Sequence, residues 1–206
     1  MIEEIKKEAL QNKVPIIKDD GLLFILKLIK ERNIKNILEL GTAVGYSSMN
    51  MAKISSDIKI DTLEKNDDMY NQAIKNISDE HFDGQISVFH MPIEEYKTDK
   101  KYDLIFVDAA KAQYQKYTEQ FINNLSEDGI FVYDNMIFHG MVYDIDNIKN
   151  RNTRSLVRKI VNFLQIMRND ERFDIMFFED VGDGILVAKK KNKNGWEEYS
   201  SIGFCF

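Results

Sequence analysis

The stretch Glu39-Leu40-Gly41-Thr42-Ala43-Val44-Gly45-Tyr46-Ser47-Ser48 continues an apolar run at Ile37-Leu38 and opens onto Met49-Asn50-Met51-Ala52, which has helical character. It reads as a strand, a glycine turn and a helix N-terminus. Gly41 and Gly45 permit a tight turn and let backbone approach a ligand where a Cβ would obstruct it. Unpaired N–H groups in the first helical turn favour a polar or anionic group. The spacing is not Gly-x-Gly-x-x-Gly, so a dinucleotide is not implied. Taken alone, these residues fit a structural turn as well as a binding loop. Glu64 favours binding. It closes the next apolar strand, Ile58 to Leu63, 23 residues past Gly41, where a carboxylate can accept both hydroxyls of a ribose. A solvated strand end is the alternative.

Upstream of this turn, residues 2–11 pattern as an amphipathic helix. Val14-Pro15-Ile16-Ile17 is extended, because proline lacks an N–H and restricts its predecessor. Residues 21–30 are dense enough in leucine and isoleucine for a buried helix, so residues 1–30 form an N-terminal helical cap. Downstream, strands are expected at 36–40, 59–63, 85–89, 102–107 and 130–133. Helices are expected at 46–53, from the Asn66 cap to Ile77, and at 113–123 and 153–168. Residues 138–150 read as an irregular loop. Residues 173–178 and 184–188 flank the short Glu179–Asp183 connection, too close for a crossover helix, and so form an antiparallel hairpin. The expected fold is α/β, a mostly parallel seven-stranded sheet with helices on both faces and the hairpin at its edge. Residues 1–206 are one domain, with 190–206 as a tail.

In such a sheet, ligands lie at the carboxyl ends of the strands. Glu39, Gly41, Glu64, Asp108, Asp134 and Asn135 all fall there. Asp108, Asp134 and Asn135 close consecutive buried strands and offer only oxygen ligands, which suit a hard cation such as Mg²⁺. The alternative is that each caps its own turn. Lys111 is either a solvated loop lysine or, partly desolvated beside a cation, a general base. His81 and His90 follow no metal spacing and read as surface or sheet-edge residues. His139 is near enough to Asn135 to line a substrate entrance. Arg151, Arg154 and Arg158 share one helix face, with Lys159 beside them. That face is either solvated or a phosphate contact.

The chain has 28 basic and 34 acidic residues, 44% hydrophobic residues and a formal charge of −6. That excludes a broad basic surface for nucleic acid or anionic membrane while leaving room for a local patch. The single cysteine, Cys205, excludes an internal disulfide and fits a reducing compartment. The acidic N-terminus does not read as a signal peptide, and no apolar run reaches membrane-spanning length. A cytoplasmic protein with no membrane partner is expected.

Over residues 14–190 the chain resembles the Rossmann-like class I S-adenosylmethionine-dependent O-methyltransferases, within them the cation-dependent catechol and caffeoyl-CoA group. The matching pieces are the Glu39–Ser47 turn, Thr62-Leu63-Glu64, the run from Ile105 to Tyr114, Tyr133-Asp134-Asn135 and the Asp183-Gly184 hairpin. Asp108-Ala109-Ala110-Lys111-Ala112-Gln113-Tyr114 and Asp134-Asn135-Met136-Ile137-Phe138-His139-Gly140 are most similar to bacterial tRNA 5-hydroxyuridine methyltransferases. The resemblance implies that Ile17, Glu39, Gly41, Thr42, Ser47 and Asp108 contact S-adenosylmethionine. Glu64 would hold the ribose, and Met91, Pro92 and Ile93 would surround the adenine. Asp108, Asp134 and Asn135 would hold Mg²⁺, with Lys111 and Asp108 catalytic.

The implied substrate is a tRNA anticodon loop whose wobble 5-hydroxyuridine becomes 5-methoxyuridine, contacted by His139, Arg151, Arg154 and Arg158. A homodimer is also implied, covering Val14–Ile17 and the edge near Phe177-Phe178. Ala110 departs from the plant coenzyme A enzymes, which commonly carry aspartate there. Two other readings stand: a small catechol-like or phenolic acceptor, and a catalytically silent nucleotide-binding protein.

Overall fold

The computed structural model describes residues 1–191. Of the expected tail, 190–206, Lys190 belongs to the last strand, and residues 192–206, with Cys205, lie outside the described residues. Six helices and seven strands follow in the order α1 (Ile2–Gln11), α2 (Asp19–Glu31), β1 (Asn36–Leu40), α3 (Tyr46–Ala52), β2 (Lys59–Glu64), α4 (Asp67–Asp79), β3 (Ile86–His90), β4 (Tyr102–Val107), α5 (Tyr114–Phe121), β5 (Leu125–Tyr133), α6 (Arg151–Asn169), β6 (Phe173–Phe178) and β7 (Ile185–Lys190). The cap expected at Asn66 forms as such, and the structure adds a second at Asn150, which starts α6 two residues earlier than expected. Asn66 accepts from the Met69 amide at 3.0 Å, and Asn150 accepts from the amides of Asn152 and Thr153. Among the described residues no helix is long and apolar enough to cross a membrane.

The sheet order is β3-β2-β1-β4-β5-β7-β6, with β1 to β5 parallel and β7 antiparallel to both its neighbours. The antiparallel strand is therefore one place in from the edge, and β6 is the edge strand. Composition explains the swap: Ile185-Leu186-Val187-Ala188 is apolar on both faces and fully buried, whereas β6 carries Asp174 and a 41% exposed Met176. A two-faced apolar strand belongs inside. Strand β5 also begins five residues earlier than expected, because Leu125 pairs with Tyr102 across a register shift.

Side chains alternate between the two faces. Ile37, Ile60, Phe106, Val132 and Val187 pack with α1 to α4, while Leu38, Leu63, Ile105, Phe131 and Leu186 pack with α5 and α6. The strand–helix alternation fails once: only a 3₁₀ turn, Ile93–Glu95, lies between β3 and β4. Asp61 of β2 is capped in that region by Tyr102 Oη at 2.7 Å, Tyr96 Oη at 3.2 Å and Lys100 Nζ at 2.7 Å. From β1 the chain winds outward to β3, then returns to β4 on the other side of β1. The reversal opens a crevice at the carboxyl ends of β1 and β4.

Candidate active site

Gly41 has φ +107°, and a Cβ there would strike the carbonyl oxygen of Asp108. Its absence lets the turn after β1 lie against the end of β4. The amides of Gly41 and Thr42 both donate to the Leu63 carbonyl, at 3.2 and 3.1 Å, so the turn also leans on β2. Ala43 is left-handed at φ +46°, and its amide donates to Glu64 Oε2 at 2.9 Å. Glu64 Oε1 accepts from the Asn66 amide at 2.8 Å. The carboxylate thus joins the glycine turn to the start of α4 and still presents lone pairs to the crevice.

Glu39 lies beneath this turn, fully buried, and does not line the crevice. It accepts from Ser47 Oγ at 2.5 Å, from Thr62 Oγ1 at 2.6 Å and from Ser48 Oγ. Burial pushes its carboxyl up to about 7, against the pull of those hydroxyls. The expected cofactor contact by Glu39 is corrected to support through Ser47. Strand parity is the cause: Glu39 shares a face with Ile37, on the side of α3 that carries Ser47 and Ser48.

A cavity of about 380 Å³ occupies the crevice. Ile17, Gly41, Thr42, Ser47, Glu64, Met91, Ile93, Asp108, Lys111, Asp134 and Asn135 all line it. Pro92, His139, Arg151, Arg154 and Arg158 do not. Pro92 instead precedes the 3₁₀ turn that swings Ile93 inward. Tyr46, Met69 and Tyr117 also line the cavity and were not anticipated. Tyr46 stood in the quoted turn and Met69 in the helix after Glu64, but only the tertiary fold brings Tyr117 near. Val14 to Ile17 closes one side, so its apolar character serves this chain's own cavity.

Beside the glycine turn, the cavity lining becomes acidic. Asp108 and Asp134 end β4 and β5; the Asp108 amide donates to Leu40 O at 3.1 Å and the Asp134 amide to Val107 O at 3.2 Å. Burial raises the carboxyl of Asp108, opposed by Lys111. Burial first, then the charge of Asp108, pushes Asp134 up to about 7. Asp134 Oδ1 accepts only the Asn135 amide, at 2.6 Å. Asn135 is left-handed at φ +60°, a conformation asparagine tolerates better than most residues. Tyr114 Oη donates to the Asp134 carbonyl at 2.8 Å and fixes the end of β5 from below.

A third carboxylate, Asp183, is 2% exposed and does not itself line the cavity. Its Oδ1 accepts the His139 amide at 2.9 Å and lies 3.5 Å from Lys18 Nζ, while Oδ2 is enclosed without a partner. The wall is short of positive charge and of donors, and its ligands are oxygens. It fits a hard divalent ion such as Mg²⁺. Among the described residues no three His, Cys, Asp or Glu side chains converge as a metal site, so an ion at the Asp108–Asp134 pair would need a ligand of another type, and Asn135 also lines the cavity.

Beyond this wall, residues 138–150 are not wholly irregular but carry two 3₁₀ turns, Met141–Tyr143 and Ile145–Asn147. Phe138, His139 and Gly140 are consecutively left-handed, and the His139 side chain is 65% exposed. Arg154 departs from the expected phosphate face. Its Nε and one terminal nitrogen both donate to the Ile148 carbonyl, at 2.8 and 2.5 Å, so it ties down the loop. Arg151 and Arg158 remain exposed.

Residues 1–191 match the family model described as O-methyltransferase. A crystal structure from Staphylococcus aureus, provisionally named a caffeoyl-CoA O-methyltransferase, is 37% identical, with 92% of each chain covered and a TM-score of 0.89. An O-methyltransferase from Bacillus cereus, solved in complex with SAH, is 25% identical with a TM-score of 0.77, covering 92% of this chain and 90% of that one. Caffeoyl-CoA O-methyltransferase 2 of Petunia hybrida is 31% identical over 182 residues, 84% of this chain and 74% of the plant protein. The two-walled crevice and these likenesses agree, and the chain belongs to the O-methyltransferase family.

Proposed function

We propose that this chain transfers a methyl group from S-adenosylmethionine to a hydroxyl oxygen held beside Mg²⁺, and that the acceptor is the wobble 5-hydroxyuridine of a tRNA. The observation that carries the reaction class is the meeting of the Gly41–Glu64 wall and the Asp108–Asp134–Asn135 wall across one cavity. Bound S-adenosylmethionine supplies an electrophilic methyl on a sulfonium. Bound Mg²⁺ favours the ionised form of the acceptor hydroxyl.

The chain's own residues do the rest. Glu64 holds the ribose hydroxyls, Gly41 and Ser47 meet the methionine end, and Met91 and Ile93 flank the adenine. Asp108, Asp134 and Asn135 would hold the ion, which would supply the charge that favours the ionised acceptor. Lys111, which lines the cavity beside Asp108, is the residue placed to take the acceptor proton. A carbon–oxygen bond forms as the carbon–sulfur bond breaks, leaving a neutral thioether. Rigid alignment of the two walls contributes most, because the displacement must be in line.

The tRNA acceptor draws support from the Asp108–Lys111 and Asn135–Gly140 stretches and from exposed Arg151 and Arg158 on the helix after the metal-side loop. A 5-hydroxyl and the adjacent O4 carbonyl can chelate one ion as vicinal phenol oxygens do. An anticodon loop presents its base without opening a duplex. With a net charge of −6, the contact must be local and salt-sensitive. A small vicinal phenol is the second reading, favoured by the names of the Staphylococcus and Petunia relatives.

The deciding experiment is a competition between hydroxyuridine-containing tRNA and catechol for a labelled methyl donor. Preferential labelling of tRNA, lost with Arg151 and Arg158 both changed to Glu while cofactor binding persists, supports the proposal. Labelled catechol with unmodified tRNA rejects the acceptor and keeps the reaction. Tight cofactor binding with no turnover on either rejects both.

A further inference from the structure

Glu39 is a buried acid that touches no reacting atom, yet its hydrogen bonds end at the cavity. Its Oε1 accepts from Ser47 Oγ at 2.5 Å, and its Oε2 accepts from Thr62 Oγ1 at 2.6 Å and from Ser48 Oγ. Thr62 Oγ1 also lies 2.7 Å from Thr42 Oγ1, where either hydroxyl can donate. Each hydroxyl has a single proton. With Glu39 ionised, Ser47, Ser48 and Thr62 all donate to the carboxylate, and Thr42 has to donate to Thr62. Ser47 and Thr42 line the cavity. In that state neither hydroxyl has a proton left to offer a ligand.

A proton on Glu39 changes this. The Ser48 hydroxyl is fully buried and bonded to Glu39 alone among the described residues, so it has to go on donating. The carboxyl proton therefore goes to Ser47 or Thr62. Given to Ser47, it frees that hydroxyl's own proton for the cavity. Given to Thr62, it reaches the cavity only through a second exchange at Thr42. Ser47 is one hydrogen bond from the carboxyl and is the more open residue, 8% exposed against 2% for Thr42. Burial, opposed by the three hydroxyls, brings the carboxyl up to about 7, so both states are within reach near neutral pH. Asp108, at the end of the adjacent β4, is the charge that bears on Glu39, and it favours the protonated form.

We infer that Glu39 is a positioning residue whose proton turns the Ser47 hydroxyl into a donor, and that the carboxylate at the methionine end of the cofactor takes that hydrogen bond. The inference rests on the reading that S-adenosylmethionine fills this cavity with its methionine end at Gly41 and Ser47. An anion in a buried site selects the donor over the lone pair. Cofactor binding and proton binding at Glu39 then strengthen each other by the same factor. Binding is therefore tightest below about 7 and weakens as pH rises through that value.

The test is calorimetric binding of S-adenosylhomocysteine (SAH) to the purified full chain. Repeating it in buffers of different ionisation heat counts the protons taken up on binding. Wild type should take up more than Glu39→Gln, which cannot be protonated there. Its affinity should also fall about 10-fold further than the variant's between about pH 6 and about pH 8. Asp134 titrates in the same range and the ligand's amine just above it, but both remain in the variant, so the difference belongs to Glu39. A merely structural glutamate would change affinity without changing the proton count. Equal uptake by wild type and Glu39→Gln, or release in place of uptake, overturns the inference. If circular dichroism shows Glu39→Gln unfolded, Ser47→Ala decides: less uptake than wild type supports it, and equal uptake overturns it. Wild type that binds no SAH overturns the cofactor reading instead.

Discussion

Glu39 and Asp134 are both buried at the carboxyl ends of parallel strands, and both carboxyls are pushed up to about 7. They reach that value differently. Around Glu39 the chain supplies Ser47, Ser48 and Thr62, three hydroxyl donors that oppose the effect of burial. Around Asp134 it supplies one backbone amide and adds the charges of Asp108 and Asp183 to the effect of burial. The first carboxylate has its partners within the fold and holds a loop. The second faces another carboxylate, with only Lys111 opposing the repulsion, an arrangement that a cation would relieve. A buried acid with donors is scaffold; a buried acid facing other acids is a socket.

Removing divalent ions with EDTA should abolish methyl transfer, with Mg²⁺ restoring it; activity unchanged in EDTA would erase the contrast. Asp134→Asn should lower activity by at least about 100-fold, yet leave the melting temperature unchanged or higher, because it relieves repulsion at a buried site. A large loss of melting temperature would make Asp134 scaffold as well. Glu39→Gln should do the reverse, weakening cofactor binding about 10-fold while keeping Mn²⁺ affinity, at a cost of about 1–2 kcal/mol for disturbed hydrogen bonds.

The pH dependence sharpens the same point. The folded Glu39 keeps a proton that the unfolded chain releases near the ordinary value of 4.5. Its contribution is therefore full below 4.5 and is lost as pH rises to about 7, by at most ~3 kcal/mol. Denaturant titrations across that window should show a shallower fall in Glu39→Gln. Asp134 contributes with the same sign, so Mg²⁺, which selects the carboxylate, should flatten only its share. The smallest effect belongs to Glu64, held by two amides yet open to the cavity: Glu64→Ala should weaken cofactor binding several-fold by calorimetry, and equal affinity would remove it from the ribose role.

The open carboxylates were legible in the sequence because each ends an apolar run, as at Tyr102 to Asp108 and Ile130 to Asp134. The succession of β1 to β5 along the chain and the glycine turn follow from the same local pattern, but the order of those strands in the sheet does not. Asp183 was not readable as buried, since Glu179-Asp180-Val181-Gly182-Asp183 has the composition of a solvated turn. Its burial comes from β7 entering between β5 and β6, a nonlocal event. For Arg154 the helical spacing identified the face but could not identify the carbonyl of Ile148 as its partner. Glu39 was decidable from parity alone, since alternate strand residues point to opposite faces.

The place of β7 also bears on how the chain can be made. Strand β6 leaves the ribosome before its only sheet neighbour, with six residues separating them, and β5 likewise waits with one edge bare. Until Ile185 to Lys190 emerges, the two strand edges it will cover are open to pairing with other chains. The turn bearing Asp183 takes its shape only when that last strand docks. Competence for catalysis and escape from aggregation therefore arrive in the same folding step, and damage to the hairpin should be seen first as insoluble protein during synthesis.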